Sequence, residues 1–74
     1  MRYRGAFTLD REDGVINTGF YYNWTSGIGG ITVLEIINLD GNVLQRETNP
    51  LTPAYCRCRL STNSGQTWND WVKL

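Results

Sequence analysis

The sequence has no histidine, which removes the commonest general base and the commonest metal ligand together. It has only two cysteines, Cys56 and Cys58, too few thiolates to close a four-ligand zinc site alone. No metal and no cofactor are therefore expected. The C-x-C spacing puts both sulfurs on one face of a strand, a poor geometry for an intrachain disulfide. Two small buried thiols in a reducing compartment are the expectation. No apolar run reaches about 18 residues, so nothing is expected to insert in a bilayer. Net charge is also missing, with seven basic and seven acidic residues. Nucleic acid is excluded as an expected partner, because phosphate neutralisation needs a basic stripe. Residues 1–5 carry positive charge, but no apolar stretch follows, so no secretory signal is expected.

The chain is 74 residues long, which predicts one domain, 1–74. A domain of this size buries only about 60% of the surface its unfolded chain exposes. With disulfide and metal removed, association with other subunits remains as the expected source of extra stability.

What is present points to strands. Eight glycines and many Asn and Thr accompany few helix formers. Residues 5–9 read as a short strand, and residues 10–14 as a polar turn ending in Asp13-Gly14. Residues 19–24 form an aromatic strand, and residues 26–30 a glycine-rich loop. Two β-like runs, 31–37 and 43–47, flank Asp40-Gly41 and predict a hairpin with a type I′ turn. The first run is apolar on both faces except at Thr32 and Glu35, so a central strand covered on both sides is expected. Residues 48–53 read as a loop, since neither Pro50 nor Pro53 can donate into a ladder. In residues 54–61, Ala54, Cys56, Cys58 and Leu60 alternate with Tyr55, Arg57, Arg59 and Ser61. The first set is expected to face the core, and the second to face water or a partner. Residues 62–65 read as a turn, and no helix is expected. The predicted fold class is all-β, a small antiparallel sheet or sandwich-like knob of about five short strands.

The order Tyr55-x-Arg57-x-Arg59, then Gly65-x-x-Trp68-x-x-Trp71-x-x-Leu74, resembles the C-terminal signature of phage tail-fibre knob domains, such as those of R-type pyocin fibres. Gly19-Phe20-Tyr21-Tyr22, the glycine-rich loop before an apolar strand, and Val43-Leu44-Gln45-Arg46 match the same pattern in the same order. The resemblance covers residues 16–74. It implies a homotrimeric, β-rich receptor-binding tip on a virion or phage-tail-like particle made in the bacterial cytoplasm. It also implies bacterial cell-surface glycans as ligands, and other tail-fibre or baseplate proteins as partners. The sequence departs from the family in Cys56 and Cys58 around Arg57, and in lacking a long shaft.

Glycan binding needs ring faces for the apolar side of a sugar and planar polar groups for its hydroxyls. Tyr22 and Trp24 flank Asn23, and Trp68 and Trp71 bracket Asn69 and Asp70. Tyr22, Trp24, Arg59, Trp68, Asn69 and Asp70 are thus the candidate glycan ligands. Packing is the competing expectation for both Trp68 and Trp71, given the area such rings bury. Trp71 and Arg57 are assigned to structure or assembly, Arg57 because it belongs to the family signature. For Arg57 and Arg59, stacking on Trp68 between subunits and pairing with Glu35 or Glu47 are the alternatives to ligand binding.

An enzyme is not expected. The seven acids are scattered, and no pair marks a glycosidase. Residues around Ser26 lack the pattern of a nucleophile elbow. Two competing functions remain: a glycan-binding receptor tip, and a structural module that registers and caps a fibre trimer. A small monomeric β-domain of unrelated origin is the third reading.

Overall fold

The computed structural model describes residues 2–25, 30–50 and 54–74, without the side chains of Leu9, Asp10, Trp24 and Thr25. The two loops expected at 26–30 and 48–53 fall largely outside the described residues. Thr48 and Asn49, expected in the second loop, instead end a strand.

The chain is all-β, with a single sheet of six strands in sequence order. These are β1 (Tyr3–Ala6), β2 (Gly19–Thr25), β3 (Gly30–Leu39), β4 (Asn42–Asn49), β5 (Tyr55–Ser61) and β6 (Val72–Lys73). β2 to β6 run as an antiparallel meander. β1 pairs with β2 in parallel, so the sheet is mixed where an antiparallel one is expected. No second sheet exists among the described residues, so sheet plus cover replaces a sandwich. None of the described helices is long and apolar enough to cross a membrane.

The hairpin between β3 and β4 turns at Asp40 and Gly41, with φ of 57° and 90°. Positive φ at both central residues is the type I′ signature, and it matches the right-handed twist of the strands. Asn38 Oδ1 accepts from the Gly41 N–H at 3.0 Å and closes the turn.

Parallel pairing determines where the core lies. A parallel pair needs a crossover between its strands. Here residues 7–18 cross one face of the sheet and include a short 3-10 helix, Leu9–Gly14, where the sequence suggested a plain turn. The crossover contributes Phe7, Val15 and Ile16 to a core of Leu34, Ile36 and Val43. Side-chain amides hold it down. Asn23 donates to Phe7 O and Asn38 to Ile16 O, both at 2.9 Å. Gln45 donates to Glu12 O at 2.8 Å and Val15 O at 2.9 Å.

One face is therefore closed and the other open. Leu34, Ile36 and Val43 are 0% exposed on the covered face, while Leu39 on the opposite face is 68% exposed. β3 is central, as expected, yet the chain covers it on one side only. The facing of β5 is the reverse of the expectation. By register, Tyr55, Arg57, Arg59 and Ser61 pair with Asn49, Glu47, Gln45 and Val43, all buried on the covered face. Cys56, Cys58 and Leu60 lie on the open face, with both thiols free and half-buried. The alternation was correct but its direction was not. Small Cys and Ala side chains offer little area to bury, whereas arginine stems capped by tryptophan rings offer much more.

Candidate functional site

Tyr55, Arg57, Arg59, Trp68 and Trp71 meet in one stack on the covered face. Alternate residues of β5 share a face about 6.6 Å apart, which spaces Tyr55, Arg57 and Arg59 along one row. After β5 the chain reverses and lays Trp68 and Trp71 over that row. The Arg59 guanidinium carbon lies 4.4 Å from the ring centres of both tryptophans. That of Arg57 lies 4.2 Å from Trp71 and 5.6 Å from Tyr55. The order is Tyr55, Arg57, Trp71, Arg59, Trp68, with each cation between two rings.

Strand β4 and the crossover supply the polar partners. Arg59 Nε donates to Gln45 Oε1 at 2.7 Å, and its terminal nitrogen pairs with Asp13 at 2.9 Å. Arg57 donates to Glu47 Oε1 through Nε at 3.1 Å and a terminal nitrogen at 3.0 Å. The Tyr55 hydroxyl donates to the same oxygen at 2.6 Å. Trp68 Nε1 donates to Asp13 O at 3.3 Å and ties the stack to the crossover.

The turn that places the tryptophans is itself hydrogen-bonded. Ser61 Oγ accepts from the Gly65 N–H at 2.9 Å, and Asn63 Oδ1 accepts from the Thr67 N–H at 2.9 Å. Gly65 adopts φ of 83°, and a Cβ there would stand 2.6 Å from Ile16 Cγ2. Gly65→Ala is expected to cost about 1–2 kcal/mol, since it adds a clash to an unfavourable backbone conformation. Urea denaturation checks this, and an unchanged midpoint would refute it.

Beneath the stack lie two carboxyl groups, Glu12 from the crossover (7% exposed) and Glu47 from β4 (0% exposed). Oε2 of each is buried without a hydrogen-bond partner. One proton held between the two groups would satisfy both. Burial, followed by the hydrogen bond to Glu47 and its charge, pushes Glu12 up to about 8. Burial also acts to raise Glu47. Hydrogen bonds from Glu12, Tyr55 and Arg57, with the Arg57 charge, outweigh burial and hold Glu47 below the ordinary carboxylate value. Glu12 is thus the protonated partner and Glu47 the carboxylate.

The candidate ligands separate into groups. Arg59 and Trp68 join Arg57 and Trp71 in the stack, so packing engages both tryptophans. Of the alternatives for Arg57, the Glu47 pair is present, and the stacking ring is Trp71. Asn69 is engaged with β5, its Oδ1 accepting from the Leu60 N–H at 2.6 Å. Asp70 is exposed between the two tryptophans. Tyr22 lies apart on the open face, its ring 6.0 Å from that of Tyr3. The side chain of Trp24 lies outside the described residues.

Beside the stack is a cleft of about 400 Å³ lined by Ala54, Tyr55, Arg57 and Lys73. Lys73 makes no ion pair among the described residues. Sequence reasoning did not single out Lys73, Glu12 or Asp13. Glu47 was legible only as an alternative partner of Arg57. Its signal was polar alternation along β4, where Gln45, Glu47 and Asn49 recur at every second residue. The cleft offers an aromatic ring and cationic donors side by side, and falls in the size range of small-ligand sites. No protein-family model, curated protein or solved structure matches the chain.

Proposed function

We propose that the chain is a non-catalytic tip module of a phage-tail type fibre that binds a glycan on a bacterial cell surface. The observation that supports this reading is the convergence of the signature residues. Tyr55, Arg57, Arg59, Gly65, Trp68 and Trp71 are distant from one another by up to sixteen positions, yet form one stack and its turn. Gln45, from the upstream part of the resemblance, anchors the same stack. The signature therefore has a physical role here, as the frame that closes the covered face.

Because the frame occupies Arg59, Trp68 and Trp71, the sugar is assigned to the adjoining cleft. There the Tyr55 ring supplies a surface for sugar C–H groups, and Lys73 and Arg57 supply donors for hydroxyls or an acidic substituent. Single sites of this kind bind weakly, and a fibre carrying several copies gains avidity by linking them.

The test is a titration with bacterial surface polysaccharides and their fragments, followed by tryptophan fluorescence. Trp71 reports on the cleft through Arg57. Saturable binding is expected, weakened about tenfold by Lys73→Ala, a loss of about 1.4 kcal/mol. Absence of binding across a broad panel would reject the reading. A second reading, a capping module with no receptor of its own, is favoured by the open apolar face of the sheet. It requires association without sugar binding.

A further inference from the structure

We propose that the open face of the sheet is the surface on which a second copy of this chain docks. The argument does not depend on the glycan reading, and a failed glycan titration leaves it standing.

The face carries a set of large apolar side chains comparable in number to that of the core. Fully buried in the core are Leu34, Ile36 and Val43. Exposed on the open face are Tyr22, Ile31, Ile37, Leu39, Leu44 and Leu60, spread over four adjacent strands. Tyr3 and Val72 extend the patch toward the two edges. A contiguous apolar patch of this kind on a soluble domain marks an interaction surface. A sheet buried on one side only is expected to read polar on its free side, and this one does not.

Charge identifies the occupant. The described part of the face holds one cation and one anion, Arg46 and Glu35. They are cross-strand neighbours 3.9 Å apart, with side chains 54% and 39% exposed. A ligand surface of one sign finds no complement here. A second copy, turned so that its Glu35 meets Arg46, matches both charges. The same face on both subunits is the pattern of a self-complementary interface.

Size agrees. The molecule measures 36 × 24 × 21 Å, and the sheet is six strands wide. A stable interface buries about 800 Å² on each partner, which a face of these dimensions supplies. Sheets packed face to face sit about 10 Å apart with interdigitated side chains. Such packing would give the thin single-layer core its missing second layer.

The test is mass in solution by light scattering, from low micromolar to millimolar chain, with circular dichroism to confirm the fold of each variant. The native chain is expected to form an oligomer. Leu44→Glu, which alters an already exposed position, should weaken association by at least about a hundredfold. Glu35→Lys and Arg46→Glu should each weaken self-association, and an equimolar mixture of the two should restore it. That rescue distinguishes face-to-face docking from general loss of apolar surface. A native chain that stays monomeric overturns the proposal. So does an oligomer indifferent to Leu44→Glu, or binding to neutral lipid vesicles without self-association.

Discussion

Glu12→Gln is expected to make the protein more stable at pH 8 than the native chain, and to flatten its stability between pH 5 and 8. The native Glu12 carboxyl titrates at about 8, against an ordinary value of 4.5. Between those values the folded protein holds a proton that the unfolded chain has released. Stability therefore falls as pH rises across that window, by up to about 1.4 kcal/mol per pH unit. Glu47 acts in the opposite direction. Its folded value lies below the ordinary one, so its contribution is present above pH 4.5 and is lost as pH falls. Together the pair places maximum stability near the ordinary carboxylate value, with a decline on either side.

The glutamine amide can donate to Glu47 Oε2 at every pH, replacing the shared proton by a permanent hydrogen bond. The alkaline decline then disappears and the acid decline remains. The groups facing the pair stay the same, namely Arg57, Arg59 and the Tyr55 hydroxyl. Urea midpoints measured from pH 4 to 9 check the prediction. A native profile that is level from pH 5 to 8 would refute it, as would a glutamine variant less stable than native at pH 8.

The elements most legible in the sequence are those whose signal is local. Asp40-Gly41 announced its hairpin because positive φ at two successive residues is tolerated by few pairs. β3 and β4 are visible as β-like runs flanking that turn, and β5 as an alternating run. The parallel pairing of β1 is not, because it depends on residues 3–6 meeting residues 20–22 across a crossover with no periodic pattern. That one pairing decides which face is covered, so its loss propagated. β3 looks covered on both sides because both its faces are apolar, and the chain itself covers only one. Hydropathy alone points β5 the wrong way round, because Cys56, Cys58 and Leu60 are more apolar than Arg57 and Arg59. Hydropathy scores the guanidinium and overlooks the stem, the rings that sandwich it, and the buried acceptors beneath.

The candidate site was half legible for a related reason. Trp68, Trp71, Arg57 and Arg59 stand close in sequence, so their association was foreseeable. Glu12 and Glu47 are 35 positions apart, and Glu12 sits in what looks like a solvated turn. Its burial follows from the crossover, which no feature near residue 12 reveals.

Arg59→Lys should destabilise the chain by about 2–4 kcal/mol, although charge is conserved. Arg59 lies between Trp71 and Trp68 in the stack, its side chain only 10% exposed. A lysine ammonium has no plane to lie between Trp68 and Trp71, and that stacking of a desolvated cation is worth about 2 kcal/mol. It also lacks the fork that serves Gln45 Oε1 and Asp13 Oδ1 together. If the ammonium follows Asp13, the Gln45 oxygen is left buried and unsatisfied, at about 1–3 kcal/mol. If it follows Gln45, the loss is smaller, since Asp13 is 79% exposed and its ion pair contributes at most about 1 kcal/mol. Total stability for a domain of this length is about 4–11 kcal/mol, so the substitution removes a large share. Urea denaturation gives the loss, and tryptophan emission shows whether Trp68 and Trp71 have become wetter. A loss below about 0.5 kcal/mol, the usual range for surface substitutions, with unchanged emission would mean that the stack does not hold the covered face. A large loss with red-shifted emission would establish that the signature residues serve the fold first. The proposed glycan contacts would then be sought at Lys73 and the cleft beside it.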